Sequence, residues 1–143
     1  MNGLFIDSSF YIALVSEVDN WHRHALEIED LLSHNNSLRL VTSNAVLSEV
    51  LAFFSRRLEF RESASEAVNQ LLHETRITKF ELTDEAFVRA LSLYRARLDK
   101  RYSLVDCFSM NIMNELNMRY IVSYDGDFYQ EGFMQVKEKS ELP

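Results

Sequence analysis

Four short acidic motifs stand at the ends of apolar runs in this chain. Asp7 closes Leu4-Phe5-Ile6, and Glu49 closes Asn44-Ala45-Val46-Leu47-Ser48. Asp106 follows Ser103-Leu104-Val105, and Asp125 ends Ile121-Val122-Ser123-Tyr124, with Asp127 one glycine further on. A carboxylate at the end of a buried strand loses its hydration and needs a positive group to meet it. Several that converge repel one another and raise each other's pKa values. A bound divalent cation resolves both costs, and a donor set made only of oxygen points to magnesium or manganese.

Each acid also has a plainer job. Asp7 can cap the helix that follows it, although Ser8 and Ser9 would serve equally well. Glu49 falls at the border of an apolar helix face beside Phe53, where a solvated flank is the simple reading. Capping does not explain it, because it lies six residues past Ser43 and five past Asn44. Asp106 sits three residues after Ser103, the spacing of a capping box with Asp in place of Glu. Its helix carries Leu104, Val105, Phe108 and Met110, however, so a carboxylate there is partly buried and wants a partner. Asp125 and Asp127 flank Gly126 in a turn where both can bond local backbone, Asp127 more readily. Ser123 can orient a carboxylate or a metal-bound water.

Other candidates fare worse. His22 and His24 are two apart, the wrong spacing for one helix face, and read as surface. His34 and His73 lack ligand-like neighbours, and Cys107 reads as a structural thiol. Met110, Met113 and Met118 read as core filling. The chain has no P-loop and no Gly-rich dinucleotide fingerprint.

The elements that must position these acids follow from periodicity and caps. Strands are expected at Leu4–Asp7, Leu38–Thr42, Ile77–Leu82, Tyr120–Tyr124 and Phe133–Lys137. Helices are expected over Phe10–Ser16, Trp21–Ser33, from Ser43 or Asn44 to about Leu58, over Ser63–Thr75, from Thr83 to about Lys100, and over Ser103–Leu116. The alternation argues for a three-layer α/β/α sandwich around a mostly parallel sheet of about five strands. With 143 residues, a single domain over 1–143 is expected. Ligands of such sheets bind beyond the carboxyl ends of the strands, where Asp7 and Asp125 both fall.

Composition narrows the class. One cysteine rules out an internal disulfide and a Cys-rich zinc site, and fits a cytoplasmic protein. No basic leader precedes the first strand, and no apolar run approaches the ~18 residues of a membrane span. The net charge of −7 argues against a surface that is basic throughout and grips nucleic acid everywhere. Local clusters remain at Arg56, Arg57 and Arg61, and at Arg89, Arg95, Arg97, Lys100 and Arg101. Solvated helix faces are their simple reading.

Read together, the motifs resemble the PIN domain, a family of small metal-dependent ribonucleases. Leu4-Phe5-Ile6-Asp7-Ser8-Ser9 looks like the family's opening strand and first acid. Val41-Thr42-Ser43 with Leu47-Ser48-Glu49 looks like its second strand and helical Glu. Ser103-Leu104-Val105-Asp106-Cys107 looks like its third acid, and Val122-Ser123-Tyr124-Asp125 with Asp127-Phe128 and Gly132-Phe133 like its closing strand and turn. The resemblance covers nearly the whole chain. A chain of this length further resembles the toxin ribonucleases of type II toxin–antitoxin pairs.

The resemblance implies cleavage of single-stranded or structured RNA with Mg2+ or Mn2+, a cognate antitoxin, and a homodimer. It implies hydrolysis of a phosphodiester by metal-activated water. Asp7, Asp106 and Asp125 are the expected ligands, with Glu49 a further ligand or a water-orienting base. Ser8, Ser123 and Asp127 are expected to support them, Asp127 as an outer or alternate ligand. Two other classes compete. One is a PIN-like fold kept as a catalytically silent protein-binding module. The other is an Asp-based phosphatase using Asp125-Gly126-Asp127, which has only 16 residues after Asp127 for the rest of its site. A receiver domain fits worse, lacking paired acids after the first strand.

Overall fold

The computed structural model describes residues 3–143. Met1 and Asn2, and the reading of them as a start without a leader, lie outside the described residues. Strands β1 (Gly3–Ile6), β2 (Arg39–Ser43), β3 (Ile77–Phe80), β4 (Tyr120–Val122) and β5 (Met134–Gln135) form one sheet in the order β3-β2-β1-β4-β5. Every neighbouring pair is parallel. Between them run α1 (Ser8–Val15), α2 (His22–Ser33), α3 (Asn44–Phe54), α4 (Leu58–His73), α5 (Asp84–Ala96), α6 (Leu104–Glu115) and α7 (Asp127–Gln130).

The chain steps outward from β1 to β2 to β3, then returns across the sheet to β4 and β5. Right-handed crossovers then put α1–α4 on one face and α5–α6 on the other. The packing agrees: α1 lies against α2, α3 and α4, whereas α5 lies against α6. This is the expected three-layer α/β/α sandwich. Leu4, Phe5 and Ile6 are buried because both faces of β1 are covered. Phe5 stands level with Val41 on one side and Ile121 on the other. The strand order reverses between β1 and β4, so the crevice beyond their carboxyl ends is the topological switch point. Among the described residues no helix is long and apolar enough to cross a membrane.

Several boundaries depart from the sequence reading. The helix expected to reach Leu58 stops at Phe54, and the one expected from Ser63 starts at Leu58. The Ser55 hydroxyl bonds back to the Leu51 carbonyl at 2.8 Å, and Arg57 is non-helical at φ −113°. Phe60 then packs edge-on against Phe54 at 5.9 Å, which buries part of the new helix's first turn. Helix α5 ends at Ala96 rather than near Lys100, where Arg97 leaves helical geometry and its guanidinium meets Glu131 at 2.8 Å. Asp127 opens the short α7 instead of lying in an open turn. Strand β5 is only Met134–Gln135, shorter than Phe133–Lys137.

Candidate functional site

Asp7 is placed by the ladder itself: its N–H donates to the Val122 carbonyl at 3.1 Å, one step past the end of β1. Its side chain, 3% exposed, does not cap α1. Instead Oδ2 accepts the Ser123 hydroxyl at 2.9 Å and the Ser9 hydroxyl at 3.1 Å. Those hydroxyls lie 3.2 Å apart; when both donate to Asp7, neither has a proton left for the other. Each also accepts a backbone N–H of the loop after β4, Tyr124 to Ser9 at 2.9 Å and Asp125 to Ser123 at 3.0 Å. Burial raises the Asp7 carboxyl above the ordinary carboxylate range and the charge of Asp125 adds to it, against the Ser123 hydroxyl, the Ser8 N–H and the Ser9 hydroxyl.

Asp106 fills the capping role foreseen for it. Its Oδ2 accepts the Ser103 N–H at 2.9 Å while the Ser103 hydroxyl accepts the Asp106 N–H at 3.0 Å, a complete capping box. The same carboxyl is buried and faces the other acids. Burial above all, and then the charges of Asp7, Asp125 and Glu49, push it up to about 7, although the Ser103 N–H opposes the shift. Glu49, half-buried on α3, is raised by burial and then by Asp7 and Asp125, with the Ser8 hydroxyl working the other way. Asp125 Oδ1 accepts the Asp127 N–H at 3.0 Å. Asp127 is raised by burial and by Asp125, and Arg101 offsets part of this.

The structure therefore brings Asp7, Glu49, Asp106 and Asp125 into mutual electrostatic range at the switch point. Carboxylate oxygens of Asp106, Asp125 and Asp127 lie within 4.8 Å of one another. That trio holds Asp127 where the sequence reading had Asp7 as a ligand. Ser123 stands where expected, whereas Ser8 bears on Glu49 and Ser9 holds Asp7. Ser8 and Ser9 are equivalent in sequence; only the direction in which the chain leaves β1 separates them.

The donor set suits a hard divalent cation. It is all oxygen, and the ion pairs among the described residues leave these five acids out. Buried carboxylates held above their ordinary pKa without a counter-charge are what a bound cation would relieve. The basic cluster is largely committed elsewhere. Arg97 meets Glu131, Arg89 meets Glu85 and Glu115, and Arg57 lies over the Phe53 ring at 3.9 Å. Beside Glu49 a cleft of about 370 Å³ opens, lined by Asn44, Ser48, Leu82 and Val105. An apolar cavity of similar volume, lined by Phe10, Tyr11, Leu14 and Val68, lies between the sheet and α1, α2 and α4, away from the acids.

The histidines correct the surface reading. His22 Nδ1 meets the Ala13 carbonyl at 2.7 Å, tying α2 to α1. His24 Nε2 meets the Lys137 carbonyl at 2.6 Å and Nδ1 meets the Tyr124 hydroxyl at 2.7 Å. A carbonyl only accepts, so Nε2 carries a proton, and in the neutral ring Nδ1 accepts from Tyr124. The partners lie 100 and 113 residues away in sequence, beyond any local signal.

Comparisons with known proteins agree with this fold. The chain is 29% identical over 137 residues to the 23S rRNA-specific endonuclease VapC20 of Mycobacterium tuberculosis, covering 94% of this chain and 98% of that protein. The crystal structure of VapC20, described as a sarcin–ricin loop cleaving toxin, superposes with a TM-score of 0.83 at 26% identity, over 94% of this chain and 99% of that one. VapBC2 from Rickettsia felis shares the fold with a TM-score of 0.64 at 13% identity, over 94% of this chain and 97% of that one. FitAcB from Neisseria gonorrhoeae does so at 0.57 and 12%, over 97% and 99%. The PIN domain family model matches residues 4–133, and the chain belongs to that family.

Proposed function

We propose that this protein is an endoribonuclease that hydrolyses a phosphodiester bond of RNA with a bound Mg2+ or Mn2+, and that it is the toxin of a toxin–antitoxin pair. The observation that carries the reading is the convergence of Asp7, Glu49, Asp106, Asp125 and Asp127 at the switch point, with none of them in an ion pair among the described residues. The similarity to VapC20, a 23S rRNA-specific endonuclease, supports RNA as the substrate.

In this reading Asp106 and Asp125 hold the cation, with Asp7 and Asp127 as direct or water-mediated ligands. The cation would supply a water of lowered pKa and charge to stabilise the leaving oxygen. The protein's own residues do the rest. Ser9 and Ser123 fix Asp7 Oδ2, so the carboxylate is presented in one rotamer. The Ser103 N–H fixes Asp106 in the same way. Glu49, its pKa raised and its side chain half-buried at the mouth of the cleft, orients the attacking water and accepts its proton. Arg101, close enough to Asp127 to lower its pKa, is placed to meet a phosphate. No side chain becomes covalently attached.

A cognate antitoxin is the natural brake on such an activity in the cytoplasm. A homodimer is the natural cover for the exposed stripe of Phe87, Leu91, Tyr94 and Leu98 on and just beyond α5. The test is incubation of the purified protein with end-labelled ribosomal RNA and with a generic single-stranded RNA, in manganese and in EDTA. Discrete cleavage in manganese alone is expected. Intact RNA under every condition would leave the silent interaction module as the better reading.

A further inference from the structure

Trp21 and Tyr124 form a two-ring stack beside the acids. Their planes are 9° apart with centroids 4.7 Å apart. His24 closes the arrangement edge-on, 5.6 Å from the indole and 5.5 Å from the phenol. Tyr124 is fixed at its hydroxyl by His24 and at its backbone N–H by Ser9, and the backbone N–H of Trp21 donates to Asp19 at 2.8 Å. Trp21 remains 44% exposed just before a helix that buries Ile28 and Leu32 and leaves Leu26 at its surface. A large aromatic ring left in solvent on a rigid support, rather than turned into the core, is a surface for something flat.

Its place in the chain says what. Tyr124 is bonded directly to Asp125 on one side and to Ser123, which holds Asp7, on the other. Tyr124 and Asp125 are thus parts of one loop, and the Ser9 hydroxyl joins Tyr124 to Asp7. Because Tyr124 and Asp125 are consecutive, an RNA strand with a phosphate at Asp125 runs past the loop that carries the inner ring of the stack. Unpaired bases present a π-face that stacks on aromatic side chains whatever their sequence.

We propose that Trp21, backed by Tyr124 and His24, is a stacking platform for an unpaired nucleobase next to the scissile phosphate. Trp21 is a positioning residue: it touches the base and not the reacting atoms. The proposal rests on the RNA-cleaving reading of the acid site. It assigns the substrate an unpaired base, a loop or a single strand, beside the bond that is cut. Purines, with the larger face, bind better than pyrimidines.

Trp21 is the only tryptophan of the chain, so its fluorescence reports the platform without cleavage. Titrating the full-length protein in EDTA with a short single-stranded oligoadenylate is expected to quench the indole emission saturably. An inorganic polyphosphate of matched charge is expected to leave the emission unchanged. Equal quenching by polyphosphate, or none by oligoadenylate, would overturn the platform. In manganese, Trp21→Ala is expected to raise KM for single-stranded RNA by roughly 5- to 150-fold, the range that loss of one base stack gives. Most of the effect should fall in KM rather than kcat, and Trp21→Phe should recover most of it. An unchanged KM in Trp21→Ala would also overturn the platform. Should Trp21→Ala fail to fold, the titration of the wild type still decides. If the wild type quenches but cleaves no RNA in manganese, the ribonuclease reading fails while base stacking stands. If it cleaves without quenching, the reverse holds.

Discussion

Ser123 donates its hydroxyl to Asp7 Oδ2 at 2.9 Å across 116 residues of sequence, joining the loop after β4 to the end of β1. Ser123 Oγ in turn accepts the Asp125 N–H at 3.0 Å, so one small side chain links Asp7 to the Asp125 backbone. Ser9 makes the equivalent pair of bonds to Asp7 and to Tyr124 N–H. The two serines act as a clamp across the switch point.

Removing one jaw is therefore expected to loosen the site without unfolding the sheet. Ser123→Ala should weaken Mn2+ binding by about 10- to 100-fold, the usual effect of losing a partner that orients a metal ligand. Calorimetric titration measures it. An unchanged affinity would mean that Asp7 is held well enough by Ser9 alone.

Without a cation the acids destabilise the fold. Asp106 is pushed up to about 7, well above the ordinary carboxyl value, by burial and its acidic neighbours. The folded protein therefore holds a proton that the unfolded chain gives up, and its stability in EDTA falls as pH rises from about 4 through about 7. Asp106→Asn keeps an oxygen for the Ser103 N–H and removes the charge. At pH 8 in EDTA it should melt higher than the wild type by about 3–5 °C, the shift of ~1 kcal/mol in a domain of this size. The difference should shrink towards pH 4. A lower melting temperature at pH 8 would mean that the capping box outweighs the repulsion.

The same shift couples metal binding to protons. A cation needs Asp106 ionised, so binding at pH 6 should release close to one proton and binding at pH 8.5 almost none. Calorimetry in buffers of different ionisation enthalpy counts the protons. Affinity for Mn2+ should accordingly fall as pH drops below about 7. Proton release that does not vary with pH would place Asp106 outside the metal site.

Glu49→Gln should separate the base from the ligands. Losing a positioned general base lowers rates by about 10²–10⁴-fold, so residual cleavage is expected together with near-normal Mn2+ affinity. A large loss of metal affinity would make Glu49 a ligand instead. Cys107→Ser should keep cleavage, because the thiol is buried in α6 and touches no acid-site chemistry.

The parts of this molecule that were legible in the sequence are those where local pattern and global place coincide. Leu4-Phe5-Ile6-Asp7 reads as a buried strand ending in an acid because both faces of β1 are covered, and the residue after it must leave the sheet. Asp106 was legible as a cap from its spacing to Ser103 and as a buried carboxylate from its apolar helix, and the structure gives it both surroundings. The start of α4 was not legible. Arg57 gives no capping signal, and the helix begins at Leu58 because Phe60 finds Phe54, a contact decided by packing rather than by pattern. The role of Ser9 and the His24–Tyr124–Lys137 bonds were equally hidden, since their partners lie 100 or more residues away.

The central claim is that the clustered acids cut RNA through a cation they hold together. Its most direct measurement is the rate of single-stranded RNA cleavage in manganese by Asp7→Asn beside the wild type, purified identically. Asparagine can still accept both serine hydroxyls, so the fold and the melting temperature should survive while a ligand charge is lost. Cleavage at background level by a folded Asp7→Asn protein is the expected result. Cleavage at the wild-type rate would contradict the claim and assign the activity to another site or to a contaminant.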